Sequence, residues 1–316
     1  MSETMAKNDY LYSVVIPVYN SEAVVAETVA LVRNFFLSQT LRFEIILVND
    51  GSRDSSWRVI SDLARDFPEV VAIDLLKNYG QHHANICGFR EAKGDYLITM
   101  DDDLQNPPEE IGKLIETVMN GYDLVIGRFK SKKHSLVRRV GSRLVGWLNR
   151  KVFDVKDDLI LTNFRIIHRD VVDRVCRDRS FSPYIPGLVL KYSARRCNVL
   201  VRHLPRLVGT SNYTWRKIMR LMTTILFNHS SIPLHYGSAF GFVVASISFL
   251  LGAFYLLDAL FNKTVAPGWA TLVVLLSFFN GVLILMLSVI GEYLIRVLRE
   301  VGSQTQNCYE INEIVR

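Results

Sequence analysis

Two stretches of this chain run without charge for longer than a soluble core helix ordinarily does. Residues 237–257 cover 21 positions and residues 269–291 cover 23, with no Asp, Glu, Lys or Arg in either. A helix rises ~1.5 Å per residue, so about 20 apolar residues cross the hydrocarbon core of a bilayer. Both stretches are read as membrane-spanning helices, and the rest of the chain must fold around that hairpin. Arg216, Lys217 and Arg220 precede the first stretch, and Arg296 and Arg299 follow the second. The connection between the two holds only Lys263. Basic residues favour the cytoplasmic side. The expected protein is therefore integral to an inner or plasma membrane, with its large N-terminal part and both termini in the cytoplasm. The spans contain no internal ionisable residue that would mark a transport path. They are expected to anchor the chain and to support a homo-oligomer.

The charge distribution agrees with a membrane surface. No acidic residue lies between Asp178 and Asp258, and eight Lys and Arg fall from Lys191 to Arg220. Residues 128–151 hold nine Lys and Arg and no Asp or Glu. Their pattern, SLVRRVGSRLVGWLNRKVF, has basic and apolar helical faces, as an interfacial helix does. YTWRKIMRLMTTILF is similar. Such one-sided charge suits an anionic partner, and the apolar runs favour lipid over nucleic acid, which is not expected as a partner. Cys87, Cys176, Cys197 and Cys308 stand far apart with no C-x-x-C pair, so neither zinc nor a disulfide framework is expected. The polar start MSETMAKNDY predicts no cleavable signal peptide.

The first ~130 residues alternate strand and helix patterns. YSVVIPV, FEIILV, VVAIDL, DYLITM and DLVIG read as strands, and helices are expected over about 55–66, 81–93 and 107–120. That alternation predicts an α/β fold with a mostly parallel sheet covered on both faces. Ligands then bind beyond the C-terminal strand ends, where residues 19–20, 49–52 and 101–105 all fall. PVYNSE stands where a dinucleotide fold would carry its glycine fingerprint, which argues against a nicotinamide dehydrogenase. Four regions are expected: a catalytic domain at 1–212, interfacial amphipathic helices at 213–234, a transmembrane hairpin at 235–295 and a cytoplasmic tail at 296–316.

At the end of DYLITM come three consecutive aspartates, then LQNPPE. Asp101 and Asp103 point the same way in extended chain, and Gln105 continues that face with an amide oxygen. Oxygen donors of this kind suit a hard divalent cation, Mg²⁺ or Mn²⁺. A cation would relieve the mutual repulsion and leave positions for substrate phosphates, with a nucleotide diphosphate the natural third party. The bland alternative is a solvated acidic turn capping the next helix.

VVIPVYNSE, VNDGSRDSS, KNYGQHHANICGFREAKGDYLITMDDDLQNPPE and DLVIGR together resemble the inverting glycosyltransferases of family 2, which have an A-type nucleotide-sugar fold. The continuation into two C-terminal spans resembles the polyprenyl-phosphate members: dolichol-phosphate mannose synthases, undecaprenyl-phosphate aminoarabinose transferases and bactoprenol glucosyltransferases. The resemblance implies that Pro17, Tyr19 and Glu22 line a nucleoside pocket and that Asp50 hydrogen-bonds the base or ribose. It places Asp101 near ribose or metal, Asp103 and Gln105 on the metal, and Asp102 at the variable middle position. Arg128, Arg138 and Ser142 match the acceptor-phosphate site, and the last two share a helical face. Arg206 matches a basic residue over the donor diphosphate; Asn212 departs from the Lys that many relatives carry. The bland alternative for Glu22 is a helix start, where negative charge is favoured, and His82 and His83 suit packing or nucleotide contact better than catalysis.

The reaction implied is a single displacement at the sugar C1 by a polyprenyl phosphate oxygen, with glucose from UDP-glucose as the expected donor. The nucleophile is already anionic at neutral pH, so a general base matters less than for a hydroxyl. Relatives place an Asp before an FR pair. Here Asp157 and Asp158 precede Phe164–Arg165 at a different spacing, and Asp157 is favoured as base or orienter. A separate flippase is expected downstream. The competing readings are mannose transfer from GDP-mannose, a processive polysaccharide synthase, and a membrane-anchored nucleotide-sugar binding subunit without activity.

Overall fold

The structure is a computed structural model. It describes residues 7–129, 151–152, 159–178, 183–204, 268–303 and 309–316, with scattered positions between 222 and 261. Two compact units are present: residues 1–218 with 303–316, and residues 219–302.

The first unit is built on one eight-stranded sheet. In chain order the elements are β1 (Leu11–Val18), α1 (Val25–Ser38), β2 (Arg42–Asn49), α2 (Ser56–Asp66), β3 (Val70–Leu75), α3 (Gln81–Glu91) and β4 (Tyr96–Thr99). Then come a 3-10 turn (Pro108–Glu110), α4 (Ile111–Val118), β5 (Leu124–Phe129), β6 (Arg165–His168), α5 (Arg169–Arg177), α6 (Ile185–Tyr192), β7 (Arg196–Val201) and β8 (Ile311–Val315). The strand order is β7-β5-β6-β4-β1-β2-β3-β8. β1 pairs in parallel with β2 and β4, β2 with β3, and β5 with β7. β6 runs antiparallel to both β4 and β5, and β8 antiparallel to β3. The expected α/β architecture with a mostly parallel sheet is present, and β6 and β8 are its antiparallel strands. Because β4 and β5 each oppose β6, their C-terminal ends emerge at the same edge.

The buried strands read as apolar runs because helices cover both faces. Val14, Ile16, Ile45 and Leu47 point into a core shared with Val29 and Phe36 of α1, Ile60 of α2 and Leu114 of α4. Their neighbours Val15, Ile46 and Val48 point the other way, onto Phe89 of α3, Val172 of α5 and Leu188 of α6. That alternation is the period of two that a strand imposes. α3 lies close enough to the sheet that a Cβ on Gly88 would stand 2.4 Å from Val15 Cγ1, so the position requires glycine.

Residues 311–315, expected as part of a tail, instead extend the sheet at its β3 edge. Asn312 Nδ2 donates to Asp74 Oδ2 at 2.8 Å and Arg316 Nη2 to Glu91 Oε2 at 2.8 Å. A short strand with exposed polar positions carries little apolar signal, which is why its pattern does not announce it.

In the second unit, α7 (Trp269–Ser303) spans 35 residues. Its segment Phe278–Ile295 has a mean hydropathy of 1.9 and is, among the described residues, the one helix long and apolar enough to cross a bilayer. Leu283, Ile284, Leu287 and Ile290 are exposed along it. Within the other expected span, 237–257, the described positions (237, 239–244, 246, 247, 250, 254 and 257) are helical, while the basic amphipathic stretches at 130–150 and 213–221 lie outside the described residues.

Candidate active site

The C-terminal ends of β1, β2 and β4 open onto a cavity of about 360 Å³. Pro17, Val18 and Tyr19 form one wall, Asp50 and the β3–α3 loop residues Asn78 and Gly80 another, and Gln81 with Asp101, Asp102 and Asp103 a third. Three loops far apart in sequence meet here because parallel strands end at a common edge. Of the residues singled out from sequence, Pro17, Tyr19, Asp50, Asp101, Asp102 and Asp103 are brought together.

Each acidic group has a distinct setting. Asp50 is buried. Its Oδ1 accepts from Tyr79 N–H at 2.7 Å and its Oδ2 from Gly80 N–H at 2.9 Å. Desolvation raises its pKa against the opposing pull of those two bonds. Asp50 therefore fastens the β3–α3 loop as well as lining the cavity. Gly51 beside it has φ +63°, and a Cβ there would meet Asn78 N at 2.5 Å. This turn is open only to glycine.

Asp101 Oδ1 accepts from Gln81 Nε2 at 2.7 Å and from Asn163 Nδ2 at 2.7 Å. Its pKa is raised, first by burial and then by the charge of Asp103, against the two amide donors and Arg165. Asp102 turns towards the start of α1. Burial pushes its carboxyl up to about 6, opposed by a hydrogen bond with Ser21, and its Oδ2 is buried without a hydrogen-bond partner. Asp103 Oδ1 accepts from Gln105 N–H at 3.2 Å. Leu104, between them, has φ +57°, an uncommon backbone for a bulky residue and typical of functional turns.

The donor set fits a hard divalent cation. Asp101 and Asp103 face one cavity, and their mutual repulsion is visible in the raised Asp101. Among the described residues no three His, Cys, Asp or Glu side chains gather into a metal-binding group. Asp101 and Asp103 are the carboxylates that could hold such a cation, an arrangement that would leave places for substrate oxygens.

Other expected residues lie elsewhere or outside the described residues. Glu22 precedes α1, and its Oε2 accepts from Ser55 N–H at 2.7 Å while its own N–H donates to Asp54 Oδ2 at 3.2 Å. It joins two loops and is not among the cavity-lining residues. Burial opposes ionisation of Asp54, but its hydrogen bonds with Ser56 and Glu22 outweigh that and lower its pKa. Gln105 also stands outside the lining; its carbonyl accepts from Leu204 N–H at 2.8 Å. Arg128 is exposed on β5. Ile126 pairs with Arg165 and Arg165 with Thr99, so Arg128 and Asp101 each lie two residues beyond one cross-strand row. Two strand spacings put them on the order of 10 Å apart. Arg138, Ser142, Asp157 and Arg206 lie outside the described residues. His83 Nδ1 is 2.7 Å from Tyr79 O, and His82 meets Tyr184 edge-on.

Sequence reading missed Asn78, Gly80 and Gln81 as cavity residues, and Thr99, Asn163 and Arg165 beneath the acidic turn. Gln81 had a signal, standing at a helix start after a strand. The others contribute through long-range hydrogen bonds, which leave no local pattern.

Comparison with known proteins decides the family. A family model described as "Glycosyl transferase family 2" matches residues 13–174, which include β1, β2, β4 and the acidic turn. The chain belongs to glycosyl transferase family 2. This family 2 chain is 35% identical over 314 residues to the undecaprenyl-phosphate 4-deoxy-4-formamido-L-arabinose transferase of Aeromonas hydrophila, covering 97% of this chain and 94% of that one. It is 36% identical over 312 residues to the protein of the same name in Pseudomonas aeruginosa, covering 97% and 91%. In fold it resembles glucosyl-3-phosphoglycerate synthase from Mycobacterium tuberculosis in complex with phosphoglyceric acid. That match has a TM-score of 0.50 and 18% identity, and covers 70% of this chain and 80% of that one. The chain is a glycosyltransferase with a family 2 catalytic domain.

Proposed function

We propose that this glycosyltransferase moves a sugar from a nucleotide sugar onto a polyprenyl phosphate at the cytoplasmic face of a membrane, with inversion at C1. The observation that carries the reading is the meeting of Asp101 and Asp103 with Pro17, Tyr19 and Asp50 around one cavity. It stands in a chain that is collinear over nearly its whole length with undecaprenyl-phosphate sugar transferases. The apolar α7 supports membrane attachment, and the basic stretches of the sequence at 128–151 and 191–220 support an anionic lipid acceptor.

In this reading the nucleoside lies against Pro17 and Tyr19, and Asp50 sets its floor by holding the β3–α3 loop. Asp101 and Asp103, with Gln105 as a further oxygen donor, would hold a Mg²⁺ or Mn²⁺ ion, which would supply Lewis-acid stabilisation of the leaving diphosphate. Arg206 covers that diphosphate. Arg128, Arg138 and Ser142 receive the acceptor phosphate and keep it dianionic. A phosphate oxygen forms the new bond to C1 as the bond from C1 to the diphosphate oxygen breaks, and the nucleoside diphosphate leaves with the electron pair. No proton need leave the nucleophile, so Asp157 orients sugar or acceptor. Two spans, a homo-oligomer, cytoplasmic termini and a separate flippase complete the proposal.

For the sugar, the sequence resemblance favours glucose from UDP-glucose, whereas the curated relatives carry a formamido-arabinose in their names. Membranes containing the chain are incubated with labelled UDP-glucose, GDP-mannose and a UDP-linked 4-formamido-arabinose, and the lipid phase is extracted. Label from one donor enters a mono-glycosylated lipid. Polymeric product favours a processive synthase. Nucleotide binding without label in lipid favours a binding subunit.

A further inference from the structure

Arg165 is a guanidinium where a cation is costly. It lies on β6, is 1% exposed, and is the largest fully buried side chain described. Among the described residues it forms no ion pair within 4 Å, the Asp101 carboxylate acting on it from farther away, and its Nη1 has no hydrogen-bond partner. A buried charge without a paired counter-ion is strongly disfavoured, so the position calls for an explanation beyond packing.

Its partners supply one. Arg165 Nε donates to Thr99 Oγ1 at 3.1 Å, and Nη2 donates to Asn163 Oδ1 at 3.1 Å. Thr99 Oγ1 in turn donates to the Asn163 carbonyl. A guanidinium can only donate. It can therefore donate only to the oxygen end of the Asn163 amide, and the NH₂ end must point the other way. There it meets Asp101 Oδ1 at 2.7 Å. The fork of Arg165 fixes the sense of that amide and thereby the rotamer of Asp101, whose Oδ1 is held from the far side by Gln81. The cross-strand row Val15–Thr99–Arg165 places this network directly beneath the acidic turn.

We infer that Arg165, acting through Asn163, is a positioning residue that aims the free edge of the Asp101 carboxylate at the cation site. It holds that aim when no cation is bound. The inference rests on the proposed metal-dependent reading of the cavity. Lys cannot substitute, because a single ammonium lacks the planar fork that joins Thr99 to Asn163.

The test uses the purified full-length chain in detergent with Mn²⁺ as probe, followed by electron paramagnetic resonance. Wild type, Asp103→Ala, Asn163→Ala and Arg165→Lys are compared. Thermal melting is recorded for each, and acceptor KM is measured in the transfer assay. Partners that orient metal ligands are typically worth about 10–100-fold in metal affinity. Asn163→Ala and Arg165→Lys are expected to weaken Mn²⁺ binding at least ~10-fold with acceptor KM unchanged. A packing role alone lowers the melting temperature and leaves the Mn²⁺ affinity of the folded protein within ~2-fold, which overturns the inference while the metal reading stands. If Arg165→Lys does not fold, Asn163→Ala decides, since it severs the same link while the Arg165 side chain keeps its bond to Thr99. Wild type that binds no Mn²⁺ removes the metal reading itself, and this inference with it.

Discussion

Gln81 donates its side-chain amide to Asp101 Oδ1 at 2.7 Å, tying the first residue of α3 to the acidic turn after β4. The bond spans 20 residues of sequence and closes one wall of the cavity. Gln81→Ala leaves the fold intact and frees that wall. Transfer activity is expected to fall about 10-fold or more, with an unchanged melting temperature. Equal loss of melting temperature and activity would assign Gln81 to folding.

Gly51→Ala combines a left-handed backbone with a backbone clash at Asn78 N. The conformation alone costs an L-residue roughly 1–2 kcal/mol, and the β3–α3 loop must also shift. Urea unfolding should show a loss of about 2 kcal/mol or more, and nucleotide binding should weaken because Asp50 loses its grip on Tyr79 and Gly80. A variant as stable as wild type contradicts the geometry.

Glu110 is buried, and its Oε1 accepts from Arg202 Nε at 2.6 Å while Lys113 binds its Oε2. Burial raises its pKa, but the bonds from Lys113 and Arg202 outweigh burial and leave it below its ordinary 4.5. A carboxyl with a depressed folded pKa stabilises the fold above its unfolded value, and that contribution disappears as pH falls through the folded value. Glu110→Gln should therefore lower the melting temperature at pH 7, and the gap from wild type should shrink steadily below pH 4.5. A gap that widens in acid reverses the sign.

Removal of residues 309–316 strips β8 from the edge of β3 and takes away the buried Tyr309, whose ring packs beside Arg90. The truncated chain is expected to melt several degrees lower and to exchange β3 amide hydrogens faster. Unchanged exchange in β3 would mean that the added strand contributes nothing to the edge.

How far the sequence carried these conclusions depended on the kind of interaction. β1, β2 and β4 were legible because strands covered on both faces need unbroken apolar runs. The acidic turn was legible because three like charges at a strand end require a counter-charge. β6 was not, since its four residues begin with Arg165, a cation that reads as surface but is buried. β7 and β8 are half exposed and carry polar residues. In the site, Tyr19, Asp50 and Asp101–Asp103 could be placed at strand ends by topology alone. The Asn163 and Gln81 contacts to Asp101 depend on side chains 62 and 20 residues away, and hydrogen bonds of that range have no spacing rule.

The most direct test reconstitutes the full chain in lipid nanodiscs with a polyprenyl phosphate and the labelled donor that the panel selects. Wild type is compared with Asp103→Ala, each with Mn²⁺ and with excess chelator. Loss of the several kcal/mol a metal supplies to the transition state corresponds to at least ~100-fold in rate. The account predicts rapid labelling of the lipid by wild type with Mn²⁺, and at least that loss from either chelation or the substitution. Labelling that continues at the wild-type rate in Asp103→Ala or under chelation contradicts it.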